Sequence, residues 1–237
     1  MTIRIYGMHV DIMVMGMEHS VRLLKLETVT HDTRHLVLEK PPGYRYEAGA
    51  AAEIAVDRPE WREECRPFSF TSLEEDDELE FIVKIYPAHE GVTRQIAELK
   101  PGAELLLTEP FGTIRYRGEG YFIAGGTGIT PFIAIFRRLA RDGQIGENSL
   151  LYSVRTENDI ILRPELEHML GSNVVYNLSH EPNRKYNSGL IDLRYLRHHA
   201  PDTSRYFYVC GPEDMVRDIR DMLQYLGVAS DSIVVEE

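Results

Sequence analysis

The sequence predicts an antiparallel β-barrel followed by an α/β domain built on a parallel sheet. Short apolar strands recur between Val21 and Phe111 at the spacing typical of a small barrel. After Gly112, strand and helix patterns alternate, as in a parallel sheet wrapped by helices. A glycine-rich stretch, Tyr121–Pro131, lies near the start of the second pattern. Together these features favour two domains of different classes.

The first twenty residues are interpreted as an N-terminal extension. They contain five of the eight methionines and alternate apolar residues like a strand. They lack the cationic start, apolar core and cleavage site of a signal peptide. We expect an extra edge strand, or a leader upstream of a start near Met17. The barrel is then assigned to residues 21–114 and the α/β domain to residues 115–237, with a boundary near the glycines at 112–120.

The barrel is predicted from six strand-like runs and one helix. Pro and Gly separate the runs, and the acidic turn Glu74–Glu78 precedes one of them. The predicted strands are Val21–Thr28, Leu36–Glu39, Ala51–Val56, Arg66–Ser72, Leu79–Tyr86 and Leu105–Thr108, and the helix is Thr93–Leu99.

The α/β domain is predicted from alternating buried runs and amphipathic segments. The predicted strands are Tyr121–Ala124, Ser149–Val154, Val174–Leu178 and Tyr206–Cys210. The predicted helices are Phe132–Arg141, Pro164–Leu170, Asp192–His198 and Asp214–Leu226.

The glycine-rich stretch is typical of a phosphate-binding turn between a strand and a helix. Gly125, Gly126 and Gly128 have no Cβ, so an anion can approach the backbone. Pro131 suits a first helical position, and it is expected to push Thr130 out of the helical region, where Thr130 can cap. The alternative is a tight strand–helix turn without a ligand. The free amides and the helix dipole favour a pyrophosphate.

Composition excludes several classes of function. The net charge of -12 and the absence of a basic tract argue against a nucleic-acid partner. No apolar run approaches eighteen residues, so no membrane span is expected. Two cysteines cannot build a disulfide framework or hold an iron–sulfur cluster, which favours an intracellular, cytoplasmic setting. The nine histidines form no zinc pattern, and no metal site is predicted.

Five motifs in order resemble the ferredoxin–NADP reductase superfamily. They are Arg66-Pro67-Phe68-Ser69, Val83-Lys84-Ile85-Tyr86, Gly91-Val92-Thr93, the glycine-rich stretch, and Val209-Cys210-Gly211-Pro212. The resemblance covers residues 20–237 and is closest to two-domain flavodoxin or ferredoxin reductases and cytochrome b5 reductase. It implies an FAD-binding barrel, a nicotinamide-binding α/β domain, and NADH or NADPH as reductant.

In the barrel, the residues themselves suggest part of a flavin site. Arg66 offers a forked donor to a diphosphate, although an ion pair with Glu63 or Glu64 is the alternative. Phe68 lies on the same strand face and would pack on the flavin ring, or simply in the core. The resemblance adds Pro67, Lys84 and Tyr86 along the cofactor, with Val83 beside them, mostly through backbone groups. It also gives Ser69 a catalytic hydrogen bond near the flavin N5 position.

The start of the barrel helix offers a second anion site. The amides at Gly91 and Val92, together with Thr93, lie at the predicted N-terminus of this helix. An ordinary N-cap is the structural alternative, and capping does not exclude binding.

In the second domain, the resemblance assigns the remaining contacts. Gly126, Thr127 and Gly128 would hold the nicotinamide dinucleotide pyrophosphate, with Thr130 and Pro131 at the start of the helix. Cys210, Gly211 and Pro212 end a parallel strand, where ligands gather. Cys210 is expected beside the nicotinamide in a positioning role, or as a small buried residue. Glu236 matches an acidic residue near the flavin in relatives, although a glutamate at a chain end is usually just solvated.

The choice between NADH and NADPH is expected to depend on two charges after the second parallel strand. Arg155 could pair with a 2′-phosphate, whereas Asp159 could accept from a free 2′-hydroxyl and repel a phosphate. The run Asp159–Leu166 resembles one in cytochrome b5 reductase, which favours NADH slightly. The structural alternative is that Asp159 caps a turn before Pro164.

The leading hypothesis is an FAD enzyme that takes hydride from NAD(P)H and passes electrons to a separate acceptor. Flavodoxin, ferredoxin, a cytochrome or an oxygenase component would fit, because the chain carries no cluster or haem motif. Two alternatives are a reductase of free flavin and a non-catalytic flavin-binding relay or regulatory subunit.

Overall fold

The computed structural model describes residues 3–5, 8–10, 19–86, 90–112, 114–181 and 186–236. Two short strands near the N-terminus, β1 (Ile3–Ile5) and β2 (Met8–Val10), pair antiparallel in a two-stranded sheet of their own. They therefore do not extend the barrel as an edge strand.

The first domain is the predicted antiparallel barrel. Its strands follow the spatial order β6-β5-β8-β3-β4-β7, with β9 beside β5. A bridge between Phe70 and Phe81 joins the two ends of this path and closes the sheet. Helix α1 (Val92–Ala97) buries Val92 and Ile96 against the barrel core. The strands are β3 (His19–Thr30), β4 (Thr33–Glu39), β5 (Ala50–Val56), β6 (Arg66–Ser69), β7 (Glu78–Lys84), β8 (Glu104–Leu107) and β9 (Phe111–Gly112).

The second domain is the predicted parallel sheet with helices on both faces. The sheet order is β13-β12-β11-β10-β14-β15, and every pair in it is parallel. Its strands are β10 (Gly120–Gly125), β11 (Ser149–Val154), β12 (Val174–Leu178), β13 (Asn187–Ser188), β14 (Tyr206–Cys210) and β15 (Ile233–Val235). Its helices are α2 (Thr130–Arg141), α3 (Arg163–Leu170), α4 (Leu193–His199) and α5 (Glu213–Tyr225).

Alternate residues of each strand pack into different cores. Phe122 and Tyr208 point to the face covered by α2 and α3, whereas Tyr121 and Phe207 point to the face covered by α4 and α5. The chain moves outward from β10 to β13 and then returns to β14 on the other side of β10. The carboxyl ends of β10 and β14 therefore flank the switch point, where parallel sheets bind ligands.

None of the helices that the described residues form combines the length and apolar character needed to cross a bilayer.

Candidate active site

A cavity of about 1550 Å³ is lined by both domains. Its walls include β6, the end of β7, the start of α1, the glycine-rich turn after β10, and the ends of β11 and β14. A typical single-ligand pocket measures roughly 300–1,000 Å³. The volume therefore suits two extended ligands that meet between the domains.

Strand β6 carries the barrel motif into this cavity. Arg66, Pro67, Phe68 and Ser69 all line it, and Ser69 is only 8% exposed. Arg66 donates to the carbonyl of Cys65 at 2.6 Å and lies 3.6 Å from Glu64. The predicted ion pair with Glu64 is therefore present, but both side chains are more than half exposed, so the pair is weak. The guanidinium remains available to an anion.

The end of β7 contributes a second cation. Lys84 lines the cavity and lies 2.7 Å from Asp32 in the β3–β4 turn. Burial acts to raise the pKa of Asp32, but the hydrogen bond and charge of Lys84, together with Thr30 and His31, outweigh burial and hold that pKa below its ordinary value. Tyr86 lines the cavity and is 48% exposed. Strand alternation buries the side chain of Val83 in the barrel core, so the predicted contact with the cofactor would use the Val83 backbone.

The N-terminus of α1 opens into the same cavity. Gly91, Val92 and Thr93 line it, and Gly91 is the N-cap residue. The helix has no side-chain cap. The first amides of the helix therefore have no partner from a capping side chain and suit an anion.

The glycine-rich turn lies across the cavity from these groups. Gly126, Thr127 and Gly128 line the cavity and belong to a single 3₁₀ turn, Gly126–Ile129. Gly126 has a φ of +54°, a left-handed conformation that glycine adopts at low cost. The buried Tyr152 hydroxyl donates to the carbonyl of Gly126 at 3.0 Å and fixes the turn.

The prediction that Thr130 leaves the helical region to act as a cap is wrong. Thr130 has helical angles, φ −60° and ψ −46°, and it begins α2. The 3₁₀ turn already supplies helical geometry upstream, which outweighs the bias that Pro131 imposes on its predecessor. Thr130 donates its hydroxyl to the carbonyl of Thr127 at 2.9 Å and still lines the cavity. Pro131 occupies the second helical position and is buried.

The turn after β10 interlocks with the end of β14. A Cβ on Gly128 would overlap the carbonyl of Cys210, and a Cβ on Gly125 would come within 3 Å of Met215 and Pro212. Both contacts need glycine. The close fit brings two backbone segments together where a dinucleotide would lie.

Cys210 and Glu236 meet on this side of the cavity. Cys210 is 5% exposed, and its Sγ lies 3.7 Å from a carboxylate oxygen of Glu236. Burial, and then the charge of Glu236, raise the pKa of the Cys210 thiol well above its ordinary value. The thiol is therefore neutral, which suits packing and positioning rather than nucleophilic attack. Gly211, Pro212 and Glu236 line the cavity with it.

Arg155 and Asp159 both line the far end of the cavity. Asp159 accepts from the backbone amide and the hydroxyl of Thr156, each at 2.8 Å, and completes a capping box. The structural alternative for Asp159 is thus realised. Its other carboxylate oxygen lies 3.4 Å from His31 and faces the first domain.

The sequence interpretation missed the contributions of the β3–β4 turn and α5. His31, Asp32 and Asp159 bring ligand-type atoms within 4.8 Å of one another, but Lys84 already pairs with Asp32 and opposes a cation there.

Asp214, Met215 and Asp218 line the cavity from α5. Acidic residues four apart are typical of a solvated helix face, so no sequence signal singled them out.

Comparison with known protein families agrees with this arrangement. Residues 18–104 match the FAD-binding domain model, and residues 122–221 match the oxidoreductase NAD-binding domain model. A flavin-binding domain is therefore followed along the chain by a nicotinamide-binding domain, and these are the two domains that line the cavity.

Three known proteins illustrate the similarity. NADH-cytochrome b5 reductase 2 of Rattus norvegicus is 29% identical over 206 residues, which cover 70% of this chain and 75% of that protein. The ferredoxin–NAD(P)+ reductase component of the naphthalene 1,2-dioxygenase system of Pseudomonas putida is 24% identical, over 92% of this chain and 70% of its own. The crystal structure of Amycolatopsis cytochrome P450 reductase GcoB superimposes with a TM-score of 0.81 at 22% identity, over 92% of this chain and 69% of that one.

Proposed function

The chain belongs to the ferredoxin–NADP reductase superfamily of NAD(P)H-dependent flavoprotein reductases, and we propose that it passes electrons from NAD(P)H through bound FAD to a separate acceptor protein. The observation that carries the proposal is the shared cavity. Ser69 from the barrel and Cys210 from the parallel sheet line it together, so a flavin and a nicotinamide can meet between them.

The residues present fit an FAD. Arg66 and Lys84 supply cations, and the uncapped start of α1 supplies amides for the diphosphate. Phe68 offers an aromatic surface for the ring. When bound, the flavin supplies the conversion of a two-electron hydride into single electrons.

The chain itself then has three tasks. Ser69, which is buried in the cavity wall, would hydrogen-bond the reacting edge of the flavin. Cys210 would pack against the nicotinamide, while burial and then the charge of Glu236 keep its thiol protonated. The turn Gly126–Ile129 would hold the pyrophosphate so that the nicotinamide lies at the distance from the flavin that hydride transfer needs.

NADH is the proposed preferred reductant. Asp159 places a carboxylate in the cavity from the turn that follows β11, and α5 adds Asp214 and Asp218 to the cavity lining. A 2′-phosphate would approach this negative charge, and Arg155 and the imidazole of His31, 3.4 Å from Asp159, would compensate part of it. The name of the rat relative also specifies NADH.

The proposed acceptor is a cytochrome or a ferredoxin. The rat relative is named for cytochrome b5, and the Pseudomonas relative for ferredoxin. A flavodoxin or an oxygenase component would also accept single electrons. A coupled assay with cytochrome b5, ferredoxin and flavodoxin in parallel ranks these acceptors by kcat/KM.

The test is an anaerobic titration of the purified protein. A yellow protein that NADH or NADPH bleaches supports the proposal. A colourless protein that reduces only added flavin indicates a free-flavin reductase instead. Yellow colour that neither nicotinamide bleaches indicates a non-catalytic relay or regulatory subunit.

A further inference from the structure

Arg137 joins the two domains from outside the motifs described above. It lies on α2, two turns after the glycine-rich turn, and its side chain is 23% exposed. Its Nε and Nη2 atoms donate to the two carboxylate oxygens of Glu165 on α3, at 2.6 and 3.0 Å. This bidentate pair anchors the guanidinium within its own domain.

The remaining nitrogen of Arg137 crosses to the barrel. Nη1 donates to the carbonyl of Thr71 at 2.9 Å and to Glu80 on β7 at 2.8 Å. We call Arg137, Glu165, Thr71 and Glu80 the interdomain clasp. One side chain thus bonds one carboxylate from each domain.

The clasp lies at one end of a continuous path to the cavity. Glu80, Ile82 and Lys84 occupy alternate positions of β7 and share a face. Ile82 packs in the core of the second domain and lines the cavity, and Lys84 lies farther along the cavity wall. On the other side of the clasp, α2 runs back to the turn Gly126–Ile129. The clasp therefore ties together the two elements that carry opposite walls.

Glu80 is held as a carboxylate. His35 lies 3.3 Å away, and the hydrogen bonds and charges of His35 and Arg137 outweigh burial and lower the pKa of Glu80 to about 2. The nearby cross-domain pairs are weaker anchors. Arg141 pairs with Asp76 at 2.8 Å, and Arg138 pairs with Glu75, but these side chains are more exposed.

We propose that Arg137 is a positioning residue for hydride transfer, because it fixes α2 against β7 and so sets the spacing between the nicotinamide and flavin walls. This inference rests on the proposed function. Reacting groups must approach to about 3–3.5 Å, and a misplacement of about 1 Å can cost about 100-fold in rate. A clasp outside the cavity can therefore control chemistry without touching either ligand.

The two carboxylates of the clasp provide a matched test. Glu80 and Glu165 have similar side-chain exposure, 29% and 32%, and each bonds Arg137, but only Glu80 lies in the other domain. E80Q weakens the link between domains, together with the contact between Glu80 and His35 within the barrel, whereas E165Q weakens only a link within the second domain. Both variants keep side-chain size, and Arg137 keeps its other partners in each.

The readout is anaerobic stopped-flow reduction of the bound flavin at saturating NADH. We expect E80Q to slow reduction by about tenfold, with FAD content and the KM for NADH changed less than about twofold. E165Q should slow reduction less than E80Q does, because Arg137 keeps its bonds to Thr71 and Glu80 of the barrel, even if its thermal midpoint falls as far. R137K should recover part of the rate that R137A loses, because lysine keeps a charge but not the forked geometry.

Two results would overturn the inference. One is a wild-type reduction rate in E80Q, and the other is an equal loss of rate in E80Q and E165Q, which would indicate a purely structural role. Failure of the proposed function is recognised separately, because wild-type protein would then not be reduced by either nicotinamide.

Discussion

The two halves of the cavity use different means to receive an anion. The barrel half offers side chains, Arg66 and Lys84, and a helix start at Gly91 where an added Cβ meets nothing within 4 Å. The nucleotide half offers backbone, because Gly128 lies against the carbonyl of Cys210 and Gly125 lies against Pro212 and Met215 just beyond it. A charged side chain on the barrel side can be replaced without disturbing the fold, whereas an added side chain on the interlocked side would force the backbone apart.

The largest expected effect comes from a methyl group placed on the interlocked side. Gly128→Ala would overlap the carbonyl of Cys210, and the backbone cannot yield without separating β10 from β14. We expect a loss of about 3 kcal/mol or more in unfolding free energy, measured by denaturant titration of the apoprotein. Gly91→Ala is the control, with an expected change within about 0.5 kcal/mol. Equal effects at the two glycines would contradict the comparison.

The next effect concerns charge on the barrel side. Arg66→Ala removes one forked donor from a diphosphate, worth about 1.5–3 kcal/mol. The Kd for FAD should rise about 10- to 150-fold in a fluorescence titration, while the apoprotein keeps its stability because Arg66 is exposed. Arg62→Ala is the control, since Arg62 pairs with Asp57 on the same loop. Unchanged FAD affinity in Arg66→Ala would remove Arg66 from the site.

A smaller effect is expected at the far end of the nucleotide half. Asp159→Thr removes a carboxylate whose repulsion of a 2′-phosphate is worth about 1 kcal/mol in water. The ratio of kcat/KM for NADPH to that for NADH should rise about fivefold. Arg155→Ala should lower the same ratio.

Thr156→Val separates charge from structure at this position. It weakens the capping box but keeps the carboxylate of Asp159, so the cofactor ratio should stay at the wild-type value. An unchanged ratio in Asp159→Thr, with both cofactors impaired alike, would leave Asp159 with a capping role alone.

The smallest effect concerns the thiol of Cys210. Glu236→Gln removes a charge that, after burial, raises the pKa of this thiol. The thiolate fraction at neutral pH should increase, and alkylation of Cys210 followed by mass spectrometry should accelerate roughly threefold to tenfold. Cys65 provides an internal control, because its pKa is raised by burial and Glu53, which this substitution leaves in place. Equal acceleration at both cysteines would indicate loosening of the fold.

Sequence patterns predicted the strands and helices whose residues show a local pattern of apolar and polar side chains. Ser149–Val154, Val174–Leu178 and Tyr206–Cys210 were predicted with their observed bounds, because each is a buried apolar run between polar neighbours. The order of domains was also predicted and is confirmed by the family matches. Strand β6 is shorter than predicted and ends at Ser69; the amide of Phe70 still donates to the carbonyl of Ala50, and Phe70 forms the bridge to Phe81 that closes the barrel.

Features that depend on distant pairing could not be predicted in this way. Arg137 has the pattern of an ordinary helix-surface arginine, and its barrel partner Glu80 lies 57 residues upstream. Asp159 had two candidate roles, and only the folded turn shows that it bonds Thr156 and faces His31. The roles proposed for Ser69, Cys210 and Glu236 stay predictions, although all three residues line the same cavity.

The interlocked glycines also determine when the site can form during folding. Gly128 and Cys210 are far apart in the chain, so their contact requires closure of a long loop and belongs to the slow, non-local class of contacts. Helix α2 can form locally beforehand, but the turn at its start gains its second wall only when β14 joins β10. We expect nicotinamide binding to appear late in refolding, after helical structure and together with protection of the β14 amides from exchange.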